Sequence, residues 1–152
     1  KWNANVSRLQ GLSPVDSLAL SAAAQWTDGN LDSAEKMSVG DPYTVRAYDV
    51  GAVSSDSGYF ASAELRHDFG ASAAGRWQAM AFVEAAHVKL NHRAWDAADN
   101  SATLSGVGLG LAWDGGAGWR ANLSLAAPVG GRPSMATPPT SARAWLTASK
   151  AF

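Results

Sequence analysis

Apolar residues alternate with small or polar ones at a period of two through most of this chain, and helical spacing is scarce. In Ser17 to Thr27 one side carries Leu18, Leu20, Ala22, Ala24 and Trp26, the other Ser17, Ala19, Ser21, Ala23 and Gln25. From Gly58 to Phe69 the apolar side is Tyr59, Ala61, Ala63, Leu65, His67 and Phe69. The other side is Phe60, Ser62, Glu64, Arg66 and Asp68, so three charges share it. From Arg76 to Val88, Trp77, Ala79, Ala81, Val83 and Ala85 alternate with Gln78, Met80, Phe82, Glu84 and Ala86. From Thr103 to Trp113, Ser105, Val107, Leu109, Leu111 and Trp113 alternate with Leu104, Gly106, Gly108, Gly110 and Ala112. Trp119, Ala121, Leu123 and Leu125 against Arg120, Asn122, Ser124 and Ala126 repeat the pattern. Successive side chains of a strand point to opposite faces, so each segment predicts a strand with one apolar and one small or polar face. With Lys1 to Leu12 and Arg143 to Phe152 added, the chain is expected to be all-β with about seven strands.

Alternation alone fits a soluble sandwich as well as a membrane barrel. The connections separate the two. Links at Ser13 to Asp16, Gly70 to Gly75 and Asp114 to Gly118 are short, those at Asp28 to Ser57, Asn91 to Ala102 and Ala127 to Ala142 are long, and short and long alternate. An outer-membrane barrel produces that order, with short turns on the periplasmic side and long loops outside. Trp26, Trp77, Trp113 and Trp119 fall near strand ends on the apolar side, where aromatic girdles sit; in a sandwich they would fill a core. An open sheet leaves two edges that hydrocarbon cannot satisfy, so the strands are expected to belong to a larger barrel. The chain opens inside a strand, at Lys1 and Trp2, which reads as a start partway along a longer protein.

Composition narrows the choice. Charged residues make up 16% of the chain, against roughly 25% in soluble domains. A net charge of −1 offers no basic field for nucleic acid, and the absence of cysteine removes disulfides and thiolate metal sites. No apolar run is long enough for a transmembrane helix, which leaves strand-built spans open.

Catalytic chemistry finds little support. His67, His87 and His92 share no metal-ligand spacing, so no metal and no cofactor are expected. Glu64 and Asp68 could form an acid pair, but Arg66 between them points to a charge network on a strand face. Gly106, Gly108 and Gly110 lie at period two inside a strand with no helix after them, so they read as small residues making room for an inserted segment rather than a nucleotide loop. The link from Asp28 to Ser57 is too long to be idle. It carries Asp28, Asp32, Glu35, Asp41, Asp49 and Asp56 against only Lys36 and Arg46, and an arginine in such surroundings invites a carboxylate partner.

Several ordered motifs carry a resemblance. Leu31-Asp32-Ser33-Ala34-Glu35-Lys36-Met37, Gly40-Asp41-Pro42-Tyr43-Thr44-Val45-Arg46-Ala47-Tyr48, Asp56-Ser57-Gly58-Tyr59-Phe60 and Glu64-Leu65-Arg66 closely resemble the haemolysin activation/secretion protein family, which includes ShlB, FhaC and HecB. The likeness continues through Phe82-Val83-Glu84 and Thr103-Leu104-Ser105-Gly106-Val107-Gly108 to Phe152. It implies an antiparallel transmembrane β-barrel of approximately sixteen strands, of which residues 1–152 would be the C-terminal portion, with POTRA domains lying before them. It further implies an outer-membrane location, export of a large exoprotein such as a haemolysin or adhesin by two-partner secretion, and contacts with outer-membrane lipid and, during insertion, with the barrel-assembly machinery. Outer-membrane protein assembly is the alternative function, because assembly factors share the loop motif.

The resemblance also assigns roles. Val45, Arg46, Ala47 and Tyr48 match a Val-Arg-Gly-Tyr/Phe loop motif whose arginine pairs with an acidic residue of the barrel wall. The wall motif falls on Phe82 to Ala86, which makes Glu84 the expected partner of Arg46. Ala47 and Ala86 stand where that family has Gly, and Glu84 where it has Asp. Glu64, Arg66, Asp68, Gly106, Gly108 and Gly110 are expected on the lumen wall, and the terminal Phe152 resembles a barrel assembly signal, with Lys150 departing from the usual apolar residue.

Overall fold

The structure, a computed structural model, describes residues 1–95, 97–131, 133 and 141–152. Long extended strands dominate it: β1 (Trp2–Gly11), β2 (Asp16–Trp26), β3 (Met37–Val39), β4 (Val53–Ser55), β5 (Ser57–Ser72), β6 (Gly75–Lys89), β7 (Ser101–Gly116), β8 (Trp119–Pro128) and β9 (Arg143–Lys150). Seven of them form one antiparallel sheet in the order β1-β2-β5-β6-β7-β8-β9, so each long strand lies beside its sequence neighbour. Among the described residues β1 pairs only with β2 and β9 only with β8, and the sheet is open.

The long segment between β2 and β5, expected as an inserted loop, contains structure of its own. A 3-10 turn at Ser33–Glu35 precedes a short ribbon in which β3 and β4 pair, Met37 opposite Ser55 and Val39 opposite Val53. The ribbon folds the loop back on itself, which holds its tip, residues 40–52, in front of the sheet. The short turns join β1–β2, β5–β6 and β7–β8; the longer connections lie at the opposite end. Part of the last long connection, Arg132 and residues 134–140, lies outside the described residues, as does Asp96.

Burial is distributed inside out. Leu109 is 66% exposed and Leu125 54%, whereas Glu64 is 8% and Glu84 2% exposed. The apolar side of the central strands faces outward, and the loop covers the small or polar side of β5 and β6 and part of that of β7 and β8, while β1 is exposed on both faces. Val39, Val45, Ala47, Tyr48 and Val53 of the loop form one apolar cluster with Phe60, Met80, Phe82, Ala86, Val88, Ala102, Leu104 and Ala126 of the sheet. A soluble sandwich buries its leucines between sheets, and here the leucine-bearing face has no second layer.

Aromatic residues mark both ends of the outward face. Trp2 pairs in register with Trp26 at the long-loop end. At the short-turn end Trp77 lies opposite Trp113 with ring centroids 6.0 Å apart, and the Trp113 indole N–H donates to the Ala74 carbonyl at 2.7 Å.

Candidate functional site

The tip of the loop is braced by its own side chains. Asp41 Oδ1 accepts from the main-chain N–H groups of Tyr43 and Thr44 at 2.6 and 2.7 Å, and Thr44 Oγ1 accepts from Gly40 N at 3.0 Å. Gly40 has a φ of 96°, and a Cβ there would stand 2.5 Å from the Asp49 carbonyl oxygen, so only glycine closes this turn. The result is a stiff hook that presents Arg46.

Arg46 is held from several sides. Its Nε donates to Glu84 Oε1 at 2.7 Å, its main-chain N–H to Glu84 Oε2 at 2.8 Å and its Nη2 to Glu64 Oε2 at 2.9 Å. Glu64 Oε1 in turn accepts from Arg66 Nε at 2.7 Å, so two guanidinium groups and two carboxylates form one neutral chain. The Arg46 guanidinium carbon lies 3.4 Å from the centroid of the Phe82 ring. The Arg46 carbonyl accepts from Trp145 Nε1 of β9 at 2.7 Å, and Arg143 pairs with Asp49 at 2.5 Å.

These contacts require a curved sheet. From β5 to β9 is four strand steps at about 4.8 Å each, about 19 Å if flat, yet one loop residue reaches Glu64 on β5 and Trp145 on β9. The sheet therefore wraps around the loop, and a cavity of about 520 Å³ beside Arg46 is lined from both sides, by Ser7 and Arg8 of β1 as well as Trp145 and Thr147 of β9. Exposure of the side chains is 11% for Arg46, 10% for Glu64 and 1% for Glu84. Charges so far from water persist only when paired and hydrogen-bonded, and these are. The arrangement fixes the loop in one geometry.

The expected wall residues divide. Glu64, Arg66 and Glu84 join Arg46. Asp68 does not: it pairs with Arg76 near the short β5–β6 turn. Of the three glycines, only Gly106 faces the loop, where a Cβ would stand 2.8 Å from Ala47 Cβ. A Cβ at Gly108 would collide with Phe82 at 2.2 Å, and one at Gly110 with Met80 at 2.7 Å, so these two make room for side chains of β6 rather than for the loop. Ala47 fits because Gly106 opposes it with no side chain. Ala86 is 1% exposed inside the apolar cluster, where its methyl packs instead of clashing. Phe152 lies beyond the end of β9 and is fully exposed, with Lys150 Nζ 4.9 Å from its ring and 5.2 Å from that of Trp119.

Sequence reasoning missed Phe82 as a platform, Trp145 and Arg143 as anchors, and Lys36 with Asp56 at the root of the loop. The Asp56 side chain is fully buried and takes an ion pair from Lys36 at 3.1 Å, with main-chain N–H bonds from Leu31 at 3.2 Å and His92 at 2.8 Å. Burial alone would raise this carboxyl, but the bonds from His92, Leu31 and Lys36 outweigh it and hold the group below the ordinary value of 3.8. The charge pattern gave a signal: Lys36 is, besides Arg46, the other of only two cations in an acidic loop.

The fold and site define a class: an antiparallel all-β wall with its apolar side outward and a structured loop ion-paired to its other face. The chain belongs to the haemolysin secretion/activation protein ShlB/FhaC/HecB family, which it matches over residues 1–113. That family comprises β-barrel transporters of the outer membrane that serve two-partner secretion. The matched span includes the loop, Glu64, Glu84 and the three glycines; β8 and β9 follow it. The comparison with curated proteins gave no match.

Proposed function

We propose that this chain forms seven neighbouring strands of an outer-membrane barrel through which a large exoprotein is exported, and that residues 28–57 occupy the lumen as a structural or gating element. The observation that carries this reading is the inside-out sheet, with leucines outward and a charged loop locked against the polar face by Arg46, Glu64 and Glu84. Hydrocarbon suits the first face and a water-filled lumen the second. The two open sheet edges require further strands, in keeping with a barrel of approximately sixteen, and POTRA domains before it would recognise the exoprotein. Translocation through such a wall is passive, driven by no chemistry of these residues. In this reading Phe152 is the end of the barrel assembly signal.

The test is secretion in the full-length protein carrying Arg46→Ala. Loss of exoprotein from the medium, with the barrel still present in the outer membrane and other barrel proteins at normal abundance, is the expected result. A general fall in outer-membrane barrels would point to assembly as the function instead.

A further inference from the structure

The inserted loop is fastened at its root as well as at its tip. Asn30 and Arg93 bond reciprocally, Asn30 Nδ2 donating to the Arg93 carbonyl at 3.1 Å and the Arg93 main-chain N–H to Asn30 Oδ1 at 2.7 Å. Lys36 Nζ donates to the Leu90 carbonyl and to Asn91 Oδ1, both at 2.8 Å, besides its ion pair with Asp56. The Asp56 main-chain N–H reaches the carbonyls of Lys89 and Leu90 at 3.1 and 3.0 Å. Asn91 and Asn100 close the β6–β7 connection on itself, with Asn91 N to Asn100 Oδ1 at 2.9 Å and Asn100 Nδ2 to the Asn91 carbonyl at 2.7 Å. Apart from the Lys36–Asp56 ion pair, which lies within the loop, these bonds join the loop to the end of β6 and the β6–β7 connection or stiffen that connection, and none involves Arg46, Glu64 or Glu84. A buried carboxylate with three donors from two separate segments is a clamp.

Resting on the reading of residues 28–57 as a lumen element, we propose that Asp56 and Lys36 are positioning residues of a second, independent fastening, which ties the root of the loop to the β6–β7 connection and keeps it seated when the Arg46 pair is released. The tip can then leave the wall without carrying the root with it. Full withdrawal needs both fastenings to open, so their contributions to release multiply.

These 152 residues contain no cysteine, so Ser55→Cys, placed in a full-length protein in which any cysteine elsewhere has been replaced by serine, reports on the root without background. Ser55 is fully buried, adjoins Asp56, and differs from cysteine by one atom. In the full-length protein in intact cells, labelling of this cysteine by a membrane-impermeant maleimide is measured alone and with Asp56→Asn, Lys36→Met, Arg46→Ala and their combinations. Folding is checked by heat-modifiable gel mobility, and Lys36→Met leaves Asp56 its two main-chain donors should Asp56→Asn fail to assemble. Loss of one charge-assisted bond set is expected to speed root labelling roughly tenfold. Arg46→Ala alone is expected to leave root labelling slow, and in the double variants the effects on channel opening are expected to multiply. Root labelling in Arg46→Ala as fast as in Lys36→Met would overturn the proposal, because a single fastening would then hold the whole loop. Unchanged channel opening in both single variants would instead defeat the lumen reading, while the labelling rates still decide the clamp.

Discussion

Replacing Arg46 by alanine removes two charge-assisted hydrogen bonds, to Glu84 at 2.7 Å and Glu64 at 2.9 Å, and the guanidinium stacked on Phe82. Breaking a buried ion pair from one side costs about 3–5 kcal/mol, because a desolvated charge is left behind. The lower part of that range applies here. Glu84 keeps the main-chain N–H of residue 46, and Glu64 keeps Arg66. Loss of the cation–π contact adds about 1 kcal/mol, which gives about 3–4 kcal/mol in all. At about 1.4 kcal/mol per decade, the equilibrium between seated and released tip shifts by roughly two to three decades. Single-channel recording of the full-length protein in lipid bilayers reads this shift as the fraction of time in a wide state. Arg46→Lys should fall between, since an ammonium cannot span both carboxylates. Glu84→Gln added to Arg46→Ala should cost less than the two changes summed, because the charge stranded by the first is neutralised by the second. Recordings of Arg46→Ala that match the parent, or strict additivity in the double variant, would refute the lock.

Other expectations follow from the same geometry. Leu109→Lys on the outward face should destabilise the protein by about 2–4 kcal/mol if that face meets lipid near the midplane, whereas Asn122→Lys on the opposite face should be tolerated; the comparison is read from heat-modifiable mobility against temperature. Gly108→Ala should cost about 1–3 kcal/mol by pushing Phe82 off its seat, while Gly11→Ala, with nothing within 4 Å of the added carbon, should be near neutral. Asp56 is depressed below 3.8, so its contribution is complete above that value and fades as pH falls through the lower folded value. Amide exchange at Leu31 and His92, corrected for intrinsic rates, should stay protected from about pH 7 to about pH 5 and quicken only below about pH 4; quickening near neutrality would point to another group. Deleting Phe152 from the full-length protein should lower its abundance in the outer membrane, as fractionation and blotting would show.

Period-two alternation was readable because each strand residue points to one face or the other regardless of distant contacts, so the all-β sheet and its two faces follow from local sequence. Glu84 was readable by the same parity, together with the motif around it. Parity does not give height along the strand. Glu64 and Asp68 share a face on β5, about 13 Å apart at about 3.3 Å per residue, and only strand register puts Glu64 level with Arg46 and Asp68 beside Arg76. Nor does it give curvature. Trp145 is 99 residues from Arg46 in sequence, and their bond exists because the sheet bends until β9 faces the loop seated on β5 and β6.

The seat itself has a simple cause in the ladder between β6 and β7. Met80 lies opposite Gly110, Phe82 opposite Gly108 and Glu84 opposite Gly106, so large residues of one strand meet glycines of the other on three successive inward rungs. Met80 and Phe82 lie across their glycines and fill the space. Glu84 does not, because its carboxylate is turned to the Arg46 main-chain N–H and side chain. The space over Gly106 is left for Ala47, the residue next to Arg46, whose methyl occupies it. One carboxylate thus performs two tasks: it binds the arginine, and by turning away from its own rung it opens the notch that receives the neighbouring alanine. A bulkier residue at 106 would remove the notch while leaving every charge in place, so shape and charge at this seat are set by the same rung of the sheet.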